Sequence, residues 1–169
     1  MEALDAIFSR RSIRQYAPKK VPLEVVEELL KAAMSAPSAG NEQPWHFVVI
    51  TERAILDEIP KFHPYSAMLK QAHVAILVCG DPTLEKHKGY WVLDCAAATE
   101  NLLLAVTARG LGAVWTGVYP TEDRVENLRK LLNLPQNIVP FSLIPLGYPA
   151  EEKPRTGRYD RSRVHHNGW

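Results

Sequence analysis

Three short segments carry the residue types that could bind a ligand and assist chemistry on it. The first is Arg10-Arg11-Ser12-Ile13-Arg14, three guanidiniums and a hydroxyl just after a helical stretch. A guanidinium is a planar fork of donors that matches a phosphate and stays charged in proteins. Each charge-assisted bond of that kind contributes about 1.5–3 kcal/mol. Taken alone, the segment also reads as a solvated basic turn. The second is Pro37-Ser38-Ala39-Gly40-Asn41-Glu42-Gln43-Pro44-Trp45, between a helix end and a strand start. Sites are often built in such loops. Two prolines stiffen this one, and Ser, Asn and Gln offer neutral donors and acceptors. That mix suits a heterocycle with imide groups, or a polyol, better than a metal. An ordinary turn with satisfied local backbone is the plain alternative. The third is the basic end: Lys153, Arg155, Arg158, Arg161 and Arg163, then His165-His166. It reads either as a solvated tail or as one or two charges closing over an anion.

Other chemistries find little support. GxGxxG and GxxxxGK[ST] are absent, which weakens a Rossmann or P-loop reading. Neither CxxC nor a Cys/His cluster with zinc spacing occurs. Ser12 and Ser38 lack a GxSxG context. His46, His63, His73 and His87 are scattered and read as structural or exposed. Cys79 and Cys95 lie in apolar stretches and read as buried free thiols of a reducing compartment. The start Met1-Glu2-Ala3-Leu4-Asp5 is unlike a signal peptide, and Val74–Val78, the longest aliphatic run, is too short to span a bilayer. A cytoplasmic protein with no membrane partner is the expectation. Twenty basic residues face nineteen acidic ones, a net charge of +1. That balance gives no global field to draw in nucleic acid.

The elements that must position these segments follow from periodicity. The 169 residues make one ordinary domain. Leu4, Ile7 and Phe8 mark a helix over 3–9, and Pro22 opens another over 22–36. Strands are expected at 46–50, 74–79, 113–118 and 141–146. Helices are expected near 53–59, 91–108 and 122–132, with a helical turn at 66–71. A sheet of about four or five strands flanked by helices follows, α+β or mixed α/β. From Ala150 the composition turns charged and Pro/Gly-containing. The stretch CAAATENLLLAV, Cys95 to Val106, is apolar around nearly its whole circumference, so it must be buried on all sides. We read it as half of a subunit interface in a homodimer, the alternative being a central place in a single core.

Taken together, RRSIRQY and then PSAGNEQPWHFVVI some thirty residues later resemble the nitroreductase family of FMN-dependent oxidoreductases. The order DCAAATENLLLAVTARGLGAVWTGVY, PLGYP and a basic tail agrees, so the resemblance covers essentially the full length. It implies an α+β fold with a mixed, largely antiparallel sheet in a single domain over 1–169. Residues 150–169 would be an extended tail reaching toward a partner subunit. It also implies bound FMN, with NAD(P)H as electron donor and a small electron-poor acceptor such as a nitroaromatic or quinone. Donor and acceptor would take turns in one stacking position, a ping-pong hydride transfer.

The resemblance places Arg10 and Ser12 at the FMN phosphate and ribityl, with Arg11 a further candidate and Arg14 beside the ribityl and pyrimidine end. Positive charge from Arg14 near N1/O2 would stabilise the anionic reduced flavin. Pro37, Ser38, Ala39, Asn41 and Gln43 would lie along the isoalloxazine and ribityl, partly from the partner subunit. Thr116 and Gly117 match the backbone that approaches N5 and O4, and Pro145, Leu146 and Gly147 another flank. Lys153 and Arg155 resemble a Lys-x-Arg that reaches the phosphate, which Arg158 could replace. An Asn and a Lys that some relatives set against the pyrimidine are missing from Pro64-Tyr65-Ser66-Ala67. Tyr65, Phe62 and Trp91 are candidates for the acceptor pocket wall. Trp45 and Trp115 flank the flavin segments and read as core. The alternatives are a non-enzymatic FMN carrier or sensor, a specialist such as a reductive dehalogenase, and a nucleic-acid binder using the basic tail.

Overall fold

A computed structural model describes all 169 residues. Helix α1 (Ala3–Ser9) and helix α2 (Leu23–Met34) precede strand β1 (Trp45–Ile50) and helix α3 (Arg53–Glu58). Strand β2 (Val74–Gly80), helix α4 (Trp91–Ala108), the short strands β3 (Gly112–Ala113) and β4 (Thr116–Gly117), helix α5 (Glu122–Leu131) and strand β5 (Val139–Gly147) follow. The sheet order is β1-β2-β5-β3, with β4 also on β5, and every strand pair is antiparallel. One parallel bridge, Ser12 to Ala113, lays the segment after α1 along the sheet edge.

The apolar run of β2 is buried throughout because both faces of the strand are covered. Val74, Ile76 and Val78 enter the core beneath α2 and α4 with Leu29, Ala33, Leu102 and Ile144. Ala75, Leu77 and Cys79 enter a second core on the opposite face with Leu56, Ile59, Leu69 and Leu128. This alternation is the two-residue period of a strand serving two layers.

The single strand expected over 113–118 is instead two. Ala113 pairs with Leu146 and Thr116 with Leu143, so the register runs on unbroken. Between them Val114 faces Pro145, which has no N–H to give, and only a 3.4 Å bond from Val114 N–H to the Pro145 carbonyl bridges the gap. The other proline of β5, Pro140, sits where the β2–β5 register shifts at Val78/Cys79. Both prolines of this central strand therefore coincide with interruptions of its ladders.

Helix α4 buries Trp91, Asp94, Cys95, Ala98, Thr99, Leu102, Leu103 and Val106 against α2 and the sheet. By length and composition it could cross a membrane, yet here its apolar residues serve the core. Its opposite face is only partly covered by α1: Leu93 is 61% exposed, and Leu4, Ile7 and Phe8 of α1 are exposed beside it. The helix is thus core on one side and open on the other. Residues 152–169 are exposed and form one 3-10 turn, Arg161–Arg163.

Candidate functional site

Residues 10–16 leave α1 as an extended strap against the sheet edge. Ile13 is its anchor: the side chain is buried, and its N–H donates to the Ala113 carbonyl at 2.9 Å. Gly112 makes room, since a Cβ there would lie 2.6 Å from Ile13 Cγ2. With Ile13 turned inward, its neighbours Ser12 and Arg14 are turned the other way.

The tail returns onto this strap. Lys153 Nζ donates to the Ser12 carbonyl at 2.7 Å and lies 3.3 Å from Glu151. Glu151 Oε1 accepts the Arg14 N–H. That backbone donor, with Lys153 beside it, outweighs burial and holds the Glu151 carboxyl below its ordinary range. Arg11 gives Nε to the Pro154 carbonyl at 2.7 Å and Nη1 to the Arg10 carbonyl at 2.6 Å. Its Nη2 is buried with no partner. Arg10 faces Glu100 of α4 at 3.4 Å, and Arg155 faces Asp5 at 3.3 Å. Arg10, Arg11 and Arg158 line an open cavity of about 320 Å³ beside Tyr159. The first cluster and the Lys153–Arg158 part of the third therefore form one cationic surface, whereas Arg163 pairs with Asp160 at 3.2 Å.

A second cavity, about 470 Å³, begins where that strap ends. Arg14, Tyr65, Met68, Trp115, Thr116 and Gly117 are among its walls. Thr116 commits its hydroxyl to the Leu143 carbonyl at 2.7 Å, and its main chain pairs with Leu143 in the β4–β5 ladder. The Gly117 carbonyl accepts Arg124 Nη1 at 2.9 Å, and the same guanidinium lies 5.2 Å from the Tyr65 ring centre. Behind this wall His63 is fully buried without a well-aligned ring partner. Burial, then the charge of Arg124, keeps its imidazole neutral by pushing its pKa down. Sequence reasoning missed Arg124, which lies in α5 among other charged residues.

The 37–43 loop lies elsewhere, against the N-terminal turn of α4. Gly40, Asn41 and Gln43 all have positive φ, +54°, +54° and +47°. Three left-handed residues in four make a shape that only specific bonds can hold, and for Gln43 the conformation is strained. Gln43 N–H donates to Ser38 Oγ at 3.1 Å, and Gln43 Nε2 donates to Asn41 Oδ1 at 2.9 Å. Ala39 N–H donates to Asp94 Oδ1 at 3.0 Å. Glu42 Oε2 accepts the N–H groups of Lys86 and His87 at 2.7 and 3.2 Å. Pro37, Asn41 and Gln43 remain exposed. No hydrogen bond or ion pair joins this loop to the strap or to the cavity wall. The two anchoring acids, Glu42 and Asp94, were also missed, because their partnership spans 52 positions of sequence.

Pro145, Leu146 and Gly147 are buried in β5. The Pro145 carbonyl accepts the Tyr16 hydroxyl at 3.0 Å, and Gly147 lies under the Tyr16 ring. They line neither of the two cavities described. Of the aromatic candidates, Tyr65 and Trp115 reach the larger cavity, while Trp91 is buried against Tyr119 and Phe141. Trp45 is buried, as expected.

The family model described as "Nitroreductase family" matches residues 7–63 and 62–148. A protein of Methanothermobacter thermautotrophicus named "Putative NADH dehydrogenase/NAD(P)H nitroreductase" is 53% identical over 169 residues, covering 100% of this chain and 88% of that one. A solved structure of the same name from Bacteroides thetaiotaomicron is 48% identical with a TM-score of 0.95, covering 99% of this chain and 98% of that one. Another, "a putative nitroreductase in complex with fmn" from Desulfovibrio desulfuricans, is 30% identical with a TM-score of 0.85, over 100% and 98% of the two chains.

Proposed function

The chain belongs to the Nitroreductase family, and from that premise we propose that it is an FMN-dependent oxidoreductase using NAD(P)H to reduce small, electron-poor acceptors. The carrying observation is continuity. The cationic surface of Arg10, Arg11 and the tail runs through Ser12 and Arg14 directly into the cavity walled by Thr116 and Gly117. A ligand with a phosphate at one end and a flat heterocycle at the other fits that sequence of surfaces. The buried, unpartnered Arg11 Nη2 is the kind of group a phosphate would satisfy.

In this reading Arg10, Arg11, Ser12, Lys153, Arg155 and Arg158 hold the phosphate end, and the pairs they now make with Glu100, Glu151 and Asp5 keep them oriented. Arg14 and the main chain of Thr116 and Gly117 face the ring. FMN, when bound, supplies the redox chemistry, taking up a hydride from NAD(P)H and delivering reducing equivalents to the acceptor. Arg14 places positive charge at the cavity wall, where it favours negative charge developing on the ring. Tyr65, Met68 and Trp115 offer apolar and aromatic surface that accepts flat molecules without selecting strongly among them. One open cavity serves donor and acceptor in turn, so parallel initial-rate plots are expected.

No hydrogen bond or ion pair joins the 37–43 loop to the same chain's strap, and in this reading the loop serves the other copy's site. A second copy seated on the open α1/α4 face would bring its own loop, Pro37, Ser38, Ala39, Asn41 and Gln43, to the site. The open α1/α4 face is what supports the homodimer, in which the exposed end of the tail, 150–169, would reach the partner. Pro145, Leu146 and Gly147 would then act as support beneath Tyr16.

The test is the visible spectrum of the purified protein, followed by anaerobic NADH or NADPH. Bound yellow flavin that bleaches is the expected result, and turnover of nitroaromatics, quinones and halogenated aromatics then ranks the acceptors. Flavin that stays oxidised would instead fit a carrier or sensor. A protein that takes up no FMN would overturn the reading.

A further inference from the structure

Glu42 and Asp94 are 7% and 5% exposed and belong to different elements, the 37–43 loop and the first turn of α4. Each spends one oxygen on backbone donors: Glu42 Oε2 on Lys86 and His87, Asp94 Oδ1 on Ala39. Each leaves the other oxygen buried without an N–H donor, Glu42 Oε1 and Asp94 Oδ2. Both converge on one residue of the loop: Asp94 accepts the Ala39 N–H, and the Glu42 N–H donates to the Ala39 carbonyl at 3.0 Å. Two buried carboxylates anchored on one residue cannot both stay charged, and a shared proton satisfies both orphaned oxygens with one bond.

We propose that Glu42 and Asp94 share one proton and, as a pair of positioning residues, hold the Ser38–Gln43 loop in its left-handed shape, so that the loop's grip on flavin weakens as pH rises. The proposal rests on the reading of that loop as a flavin contact. Its logic is mechanical. Ala39 N–H hangs on Asp94, and Glu42 ties the 85–90 segment to the loop from the other side, with Lys86 Nζ adding a bond to the Gly40 carbonyl at 2.8 Å. His87 packs on Gly40, where a Cβ would lie 3.0 Å from Nε2. If the shared bond opens, both ties loosen together.

The other titratable groups near the pair are the Glu85 carboxylate, the Lys86 ammonium, the His87 imidazole and the Cys95 thiol. Glu85 is itself committed to the N–H groups of Gly89 and Trp91. Burial pushes Asp94 above the ordinary carboxyl range, with the Glu42 and Glu85 charges adding to it against the Ala39 N–H. Burial also opposes charge on Glu42, but the Lys86 and His87 N–H groups and the bond from Asp94 outweigh it, so Glu42 is held low. The proton therefore belongs to Asp94. The folded state binds it more tightly than the unfolded chain does. Its stabilising effect is complete in acid and is lost as pH rises through the raised Asp94 value.

D94N separates this pair from a merely structural contact. Asn keeps an oxygen for Ala39 N–H and gives Glu42 a permanent N–H donor. FMN affinity would be measured by fluorescence titration from pH 4.5 to 9 in wild type and variant; the flavin's own titrations are common to both and cancel in the comparison. Wild type is expected to weaken roughly tenfold relative to D94N across that range, the size of one lost charge-assisted bond. E42Q, whose amide can donate to an ionised Asp94, is expected to be as flat as D94N and serves if D94N does not fold. Parallel profiles in wild type and both variants would overturn the proposal. Hydrogen exchange of residues 38–43 in flavin-free protein, corrected for intrinsic rates, reads the loop directly. If no form binds FMN, the flavin reading fails. Loss of protection with rising pH in wild type, absent from D94N, would still establish the shared-proton clamp, whereas equal loss would overturn it too.

Discussion

Replacing Gly112 with alanine tests whether the strap over residues 10–16 is what places the cationic groups. The added Cβ would sit 2.6 Å from Ile13 Cγ2, 2.7 Å from its Cβ and 3.0 Å from its Cγ1. Carbon atoms rest at about 3.5–4.0 Å, so a displacement of about 1 Å is required. Two of the three contacts are near the root of a stiff β-branched side chain, so rotation cannot absorb it and the backbone must move. Overpacking of this kind costs about 1–3 kcal/mol, and each kcal/mol lowers the unfolding midpoint by roughly 2–4 °C at this size. The same shift carries Ser12 and Arg14 out of hydrogen-bond range. Losing one charge-assisted bond of about 1.5–3 kcal/mol weakens FMN binding roughly 10- to 100-fold. Thermal unfolding without flavin and fluorescence titration with FMN measure the two effects separately. I13A is the comparison: it leaves a hole that lowers stability without pushing the strap. A G112A protein that melts like wild type and binds FMN within about twofold of it would refute the packing argument. One that melts low but binds FMN normally would show that the strap is not the phosphate site.

R124A removes the donor to the Gly117 carbonyl and the cation beside Tyr65; steady-state kinetics should show acceptor kcat/KM falling roughly tenfold, with a stability loss of about 1 kcal/mol. Burial pushes the Cys79 thiol up to about 12 and Cys95 higher still, so both stay protonated in the native protein. Iodoacetamide at pH 8 should leave the native chain unmodified by mass spectrometry and label both cysteines once it is denatured. For the shared site, an R11A/S12A chain and an N41A/Q43A chain should each fail to bind FMN, yet after mixing and reassortment recover about a quarter of wild-type sites. No recovery, with mixed dimers demonstrated, would place the whole site within one chain.

The sequence revealed residue chemistry and local elements better than it revealed which faces meet. The run Val74–Gly80 is legible as a two-faced strand because its alternate residues all need burial. The bounds of α4 are equally legible, since no breaker interrupts the stretch before Gly110. The gap between β3 and β4 was hidden because its cause, the missing N–H of Pro145, lies about thirty residues downstream. Arg10-Arg11-Ser12 could be read as an anion site from its side chains. That Lys153 would lie on the Ser12 carbonyl depends on a contact 141 positions apart. Glu42 was visible inside its motif, but nothing local marks Asp94 as its partner. Arg124 was obscured by the charged surface of α5, where only the Gly117 contact distinguishes it.

Helix α4 links these separate observations. Its buried face carries Asp94, which anchors the 37–43 loop, whereas its open face carries Glu100, which faces Arg10. The two residues are six positions apart, about 9 Å along the axis and 240° around it. The shorter way round is about 120°, so the loop and the strap are held by different faces of one helix, and in the proposed dimer they belong to different flavin sites. A helix that is apolar around its circumference, with its open face flanked by Leu4, Ile7 and Phe8, resolves this geometry if that face meets a second copy. One copy's strap then approaches the other copy's loop across the paired helices. On this argument the apolarity first read as an interface and the division of the flavin contacts between two remote segments have one physical cause.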